Sequence, residues 1–152
     1  MDIQTLTNEI RSFFGSMGFG EDVEAVDGFQ GMTVRVSVHM KKESNLLIGE
    51  HGNNLFALEH ILKKYIRAKT AEEDVKFTLD INDYRMKKME DLKQDVKTAA
   101  KNVRLYKKEV PLRPMSSFER RIVHLLLAEY PDITTESIGD EPQRRVIIKP
   151  YP

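Results

Sequence analysis

Two short constellations in this 152-residue chain have residue types and spacings that could do chemistry. The first is Ile48-Gly49-Glu50-His51-Gly52, with its pair of glycines three residues apart. Glycine tolerates positive φ and close backbone approach, and a helix that follows such a corner offers unpaired N–H groups and the positive end of its dipole. A phosphodiester suits that geometry. So does a plain turn between two helices, and these residues by themselves fit both. The second is Phe118-Glu119-Arg120-Arg121-Ile122-Val123-His124. At 100° per residue, Arg120 and His124 stand about 40° apart on a helix and project together. An arginine fork matches phosphate oxygens, and an imidazole can donate a hydrogen bond and stack on a base. A chance pair on a solvated helix face is the alternative. Phe118, Ile122, Leu125 and Leu126 are expected to face the core on the opposite side, with Val123 and Leu127 sheltering the histidine flank. Arg113, Arg144 and Arg145 add guanidinium groups that could converge there.

The elements that must position these residues can be read from periodicity. Ile3, Leu6, Ile10, Phe13, Phe14 and Met17 predict a helix over 3–17, closed by Gly18. Strands are expected at 23–26 and 33–40, with Gly28 and Gly31 bracketing the turn and Val34, Val36, Val38 and Met40 on one face. Leu46 to Ile48 lead into the glycine corner, and Leu55, Leu58, Leu62 and Ile66 mark a helix to about Arg67. A polar loop over 70–74 and a strand over 75–81 complete a first unit. From Asn82 as N-cap, a long helix is predicted to Tyr106 on the seam Met89, Leu92, Val96, Ala99, Val103 and Tyr106. It serves either as a connector or as the first element of a second unit, and the boundary is placed near residue 82. Ser116 and Glu119 form a capping box that opens a helix to about Glu129. Strands over 133–138 and 144–149 follow, joined by a turn at Gly139-Asp140-Glu141-Pro142.

Composition sets the outer bounds. The 24 Lys and Arg balance 24 Asp and Glu, and 40% of residues are hydrophobic, which suits one medium or two small folded domains rather than a disordered tail. No apolar run approaches the roughly 20 residues that span a bilayer, and the first residues lack the charged and apolar regions of a signal peptide, so a cytoplasmic protein without membrane insertion is expected. There is no Cys, which removes disulfides and thiolate metal sites. His39, His51, His60 and His124 show no metal-binding spacing, and no Gly-x-x-x-x-Gly-Lys loop is present. The acids Asp132, Asp140 and Glu141 read as turn and cap residues. No catalytic residue, metal or cofactor is expected, and the chain reads as a non-enzyme.

The order helix-strand-strand-helix-GxxG-helix-strand over residues 3–81 resembles the type II KH domain. That resemblance implies a loop that clamps the backbone of a single strand, with Gly49 and Gly52 allowing close approach, Glu50 and His51 in the variable positions, and Ile48 and Leu55 as either groove wall or core. Those middle positions more often carry Lys or Arg. Glu50 repels phosphate, so weak binding is expected at this loop. From Asn82-Asp83-Tyr84-Arg85 through Arg120 and His124 to Arg144-Arg145-Val146-Ile147-Ile148, the chain resembles the R-three-H domain, named for its Arg-x-x-x-His spacing, which binds single-stranded nucleic acid. The fold class expected is therefore α+β, with a KH domain over 1–81 and an R-three-H domain over 82–152, joined by the long helix. The tandem resembles the bacterial SpoIIIJ-associated (Jag) family, whose usual members also carry an N-terminal Jag domain and linker not contained in these residues. It implies a single-stranded RNA-binding protein, with single-stranded DNA as an alternative ligand. It further implies a post-transcriptional role in cell envelope growth, division or sporulation, and a homodimer or a heterodimer with a small KH-only protein. The predicted nucleic-acid contacts are Gly49, Glu50, His51, Gly52, Arg120, Arg121, His124, Arg144 and Arg145. A protein-interaction module with little intrinsic RNA binding is the competing reading.

Charge distribution sharpens the choice of contact surface. Residues 1–30 hold 1 basic and 6 acidic side chains, whereas residues 81–125 hold 12 basic and 6 acidic ones. Lys93, Lys97, Lys101, Arg104 and Lys108 recur along the long helix, either as an ordinary solvated stripe or as a track for a phosphate backbone.

Overall fold

Helix α1 (Ile3–Ser16) opens on Asp2, whose carboxylate accepts from the Thr5 amide at 2.7 Å. It buries Leu6, Ile10 and Phe14, positions four residues apart on one helical face. The computed structural model describes residues 1–42 and 44–152. The chain divides into two units, Met1–Lys87 and Lys88–Pro152, so the division falls inside the long helix, a few residues past 82.

In the first unit, β1 (Val23–Gln30) and β2 (Val34–Met40) form an antiparallel hairpin, and β3 (Phe77–Ile81) runs parallel to β2, giving the sheet order β1-β2-β3. Between β2 and β3 come the short α2 (Asn45–Ile48), a 3-10 turn at Glu50–Gly52, and α3 (Asn53–Thr70). This is the element order of the type II KH arrangement. Val36, Val38, Leu55, Leu62, Ile66, Phe77, Leu79 and Ile81 lie in one core with Ile10 and Phe14. The expected apolar face of β2 is correct. Glu59 on α3 accepts from the outward Leu79 amide at 3.0 Å, which satisfies part of the edge of β3.

Gly28 is not a turn residue. It lies inside β1 opposite Val36, and an added Cβ would stand 2.3 Å from Ile3 Cγ2 and 3.2 Å from Thr7 Cγ2. The first strand therefore extends well beyond residue 26, because glycine is what lets α1 lie so close to it. The pair that looked like two turn glycines is one packing glycine and one hairpin residue.

Helix α4 (Tyr84–Tyr106) begins later than expected, and its cap is not Asn82. Asn82 and Asp83 both have positive φ. The buried Asp80 caps instead, its Oδ1 accepting from the Arg85 and Ile81 amides at 2.9 Å and its Oδ2 from the Met86 amide at 3.3 Å. Asn82 turns the other way, accepting from the Met40 amide at 2.8 Å and donating to Ser44 Oγ at 3.1 Å. A carboxylate in the preceding strand has replaced the local cap, which ties the first turn of α4 to the first unit.

Most of α4 is the first element of the second unit. Leu92, Val96, Ala99, Ala100 and Val103 enter its core, whereas Tyr106, expected on the same seam, is 65% exposed. The strand β4 (Val110–Pro111) pairs with β6 (Arg145–Pro150), which also pairs antiparallel with β5 (Ile133–Ile138), in the order β4-β6-β5. Helix α5 (Ser117–Leu127) starts at the expected capping box, with Ser116 Oγ accepting from the Glu119 amide at 3.2 Å and lying 3.4 Å from Glu119 Oε1. The α+β class is as expected. Among the described residues, no helix is long and apolar enough to cross a membrane, and no group of His, Cys, Asp or Glu is placed to hold a metal ion.

Candidate nucleic-acid interface

Half of the expected inner face of α5 is correct, since Ile122 and Leu126 pack against the core of the second unit. Arg120, Val123 and Leu127 are buried, while Phe118 and Leu125 are 63% and 60% exposed. Positions i, i+3 and i+7 form a continuous stripe, and Arg120 lies on it with Val123 and Leu127. The more numerous apolar side chains, Phe118 and Leu125 among them, suggested the other face. The structure seats a guanidinium on the packed side because it meets two fixed acceptors there.

Those acceptors are the Met115 carbonyl, 2.7 Å from Arg120 Nη1, and Glu141 Oε1, 2.8 Å from Arg120 Nη2. Arg120 therefore joins the strap before α5 to the turn between β5 and β6. Its burial is tolerable because its donors find both a carbonyl and a counter-charge. Glu141, read from sequence as a turn acid, supplies that charge and is itself largely exposed.

His124 lies over β5. Its Nδ1 is 2.6 Å from Thr135 Oγ1, and its Nε2 is 3.0 Å from Ser137 Oγ. Along β5, Ile133, Thr135 and Ser137 share one face, directly opposite Pro150, Ile148 and Val146 of β6. That face changes from apolar to hydroxyl-bearing just where the imidazole reaches it, so both ring nitrogens have partners. Sequence reasoning missed Thr135 and Ser137. The available signal was hydroxyl residues at inward positions of a strand that begins with a buried isoleucine.

Arg144 reaches the same turn, donating from Nη1 to the Gly139 carbonyl at 2.7 Å and from Nη2 to the Ser137 carbonyl at 3.4 Å. Arg120, His124 and Arg144 are thus gathered around one strand and turn, but their polar atoms hold that turn together. Arg113 is drawn to Asp95 and Glu119 instead, at 3.7 and 3.5 Å. Arg121 is exposed and Arg145 half-buried, and neither side chain has a hydrogen bond or ion pair within the described residues. Of the four predicted arginines, these two hold guanidiniums not already committed.

The glycine corner is a separate feature of the first unit. Gly49, His51 and Gly52 have φ of 73°, 56° and 77°, so three of four residues adopt the left-handed side that glycine tolerates and histidine rarely takes. A Cβ on Gly52 would lie 3.0 Å from the Tyr84 ring, and one on Gly49 would lie 2.6 Å from Asn54 Cγ. The second clash involves a side chain that itself donates to the Leu46 carbonyl at 2.7 Å. Glu50 and His51 point outward, 86% and 82% exposed, with His51 Nε2 3.6 Å from Glu50 Oε1. Ile48 and Leu55 are buried in the core of the first unit.

Comparison with known proteins matches residues 87–150 to the R-three-H domain. The chain is 37% identical to the RNA-binding protein KhpB of Lactiplantibacillus plantarum over 106 residues, which cover 70% of this chain and 33% of that protein. It is 33% identical to the KhpB of Clostridium symbiosum over 140 residues, covering 84% of this chain and 63% of the relative. To the Bacillus subtilis KhpB it is 34% identical over 133 residues, covering 82% and 64%. The chain thus spans between a third and just under two thirds of the length of these relatives. The longer alignments exceed the R-three-H match and so take in part of the first unit. The chain thus carries an R-three-H domain in its second unit, and its similarity to the KhpB proteins continues into the first.

Proposed function

We propose that this protein binds single-stranded RNA without catalysing a reaction, with a KH domain over residues 1–81 and an R-three-H domain over 82–152. The observation that carries the reading is the R-three-H match to a unit whose Arg120, His124 and Arg144 brace one strand and turn while Arg121 and Arg145 remain uncommitted. In this reading the braced turn is scaffold. Arg121 and Arg145 supply the principal phosphate contacts, and Arg120 and Arg144 contribute field and, on exchange of their present partners, direct contact.

The Gly49–Gly52 corner adds backbone approach but little attraction, because Glu50 stands at its outer edge. Two weak contacts on one strand reinforce each other when the strand reaches both. The relatives are named RNA-binding proteins, which favours RNA over single-stranded DNA as the ligand. Residence in the cytoplasm, a post-transcriptional role in envelope growth, division or sporulation, and pairing with a second copy or a small KH-only protein belong to the same proposal.

The test is a salt titration of binding to a labelled, unstructured oligoribonucleotide and its DNA counterpart. Affinity should fall with salt by a log–log slope of about −0.7 for each phosphate neutralised. A folded protein with no RNA binding at low salt overturns the reading.

A further inference from the structure

Between α4 and α5 of the second unit lies a groove of about 680 Å³ with an unusual asymmetry. Every charged residue that lines it comes from α4: Lys93, Lys97, Lys101 and Arg104. The opposite wall is Leu126, Leu127 and Tyr130, over a floor that includes Val96 and Ala100. Among the described residues, no acid lines it. Lys93 approaches Glu90 at 3.8 Å, and Arg104 is held by Asp132 and stacked 4.5 Å from the Tyr130 ring centre. Between those two ends, Lys97 and Lys101 are exposed, and their ammonium groups have neither an ion pair nor a hydrogen bond within the described residues.

We propose that this groove is a second single-stranded RNA contact, with backbone phosphates along Lys97 and Lys101 and bases turned toward Leu126 and Tyr130. The inference rests on the RNA-binding reading above and adds a site away from the Arg-x-x-x-His pair. A nucleic-acid strand is charged along one side and apolar on its base faces, as the groove is. An acidic amphipathic helix with acids on both flanks of its apolar stripe would find cations on only one wall of this groove. Residues four apart on a helix advance about 6 Å, so Lys93, Lys97 and Lys101 form an evenly spaced row able to follow successive phosphates.

The Arg104–Tyr130 stack closes one end. Asp132 holds that guanidinium in turn, so one face of the Tyr130 ring is covered by Arg104. An aromatic ring beside a cationic row is the combination that sequence-tolerant single-strand binding uses.

The experiment compares three folded proteins by fluorescence anisotropy with a labelled mixed-sequence oligoribonucleotide: the full chain, Lys97→Gln/Lys101→Gln, and Arg121→Gln/Arg145→Gln. The lysine variant should keep its thermal midpoint, bind at least tenfold more weakly, and lose about 0.7 of salt slope for each lysine removed. Ultraviolet crosslinking should attach RNA to the peptide containing Tyr130. Unchanged affinity of the lysine variant, with weakened binding by the arginine variant, overturns the groove and leaves RNA binding intact. Absence of RNA binding by the full chain overturns both. If an acidic helical peptide binds the full chain, loses affinity with the lysine variant, and leaves RNA binding unaffected by the same substitutions, the groove is a protein-docking surface and the proposal fails.

Discussion

Arg120 and Glu141 form a 2.8 Å ion pair in which the guanidinium is buried and the carboxylate largely exposed. The second Arg120 nitrogen donates to the Met115 carbonyl at 2.7 Å. Arg120→Ala removes both contacts and leaves a buried carbonyl unpaired, so it should lower stability by about 2–3 kcal/mol in urea unfolding. Lost RNA binding by that variant would report a loosened turn as much as a lost contact.

Glu141→Gln separates those two effects. It keeps a hydrogen-bond acceptor near Arg120, retains the Met115 contact, and removes one negative charge from the turn. Stability should change by less than about 1 kcal/mol, and RNA affinity should rise several-fold because a carboxylate no longer repels phosphate at the turn. Unaltered or weaker binding would assign Arg120 to scaffold only.

Thr135→Val tests how His124 is held. The substitution nearly preserves side-chain shape but leaves Nδ1, now 2.6 Å from a hydroxyl, facing a methyl group. A cost of about 1–2 kcal/mol is expected, with a change in the His124 ring signals by NMR. Identical His124 chemical shifts in the variant would argue against the contact.

Asp80 should be the most sensitive polar residue of the first unit. Asp80→Ala withdraws the acceptor of two amides at the start of α4 and of the Ile81 amide at the end of β3, for an expected loss of about 2 kcal/mol or more. Hydrogen exchange should show the amides of Arg85 and Met86 deprotected. Preserved protection would mean another group caps the helix.

The Arg104 guanidinium holds the Asp132 carboxyl below its ordinary range through their hydrogen bond. A depressed folded-state value stabilises the fold above the unfolded pKa of about 3.9, and that contribution disappears as pH falls through the folded value. Asp132→Asn should therefore lower Tm at pH 7, and the gap to the unmodified chain should close as pH drops below about 4. A gap that stays constant down to about pH 2 would show that charge is not the source.

The strands and helices of this chain were legible wherever one residue type repeated on one face. Val34, Val36, Val38 and Met40 marked β2, and Ser116 with Glu119 marked the start of α5 without help from distant parts of the chain. Periodicity failed where two faces carried comparable apolar content. On α5 it selected Phe118 and Leu125, and the structure buried Val123 and Leu127 with Arg120 beside them in place of an apolar side chain. Local capping logic likewise named Asn82 for α4, because the real cap, Asp80, lies in the preceding strand and reaches forward across the turn.

The element order, the glycine corner, the Arg-x-x-x-His spacing and the excess of cations over residues 81–125 all follow from residue type and separation along the chain. Which of those cations are spoken for is settled only by folding. Arg120 meets Glu141, Arg104 meets Asp132 and Arg144 meets the carbonyls of residues 137 and 139, pairings between residues from 5 to 28 positions apart. A guanidinium's availability depends on the acceptors that folding brings within about 3 Å of it, and no spacing rule in the linear chain encodes that distance.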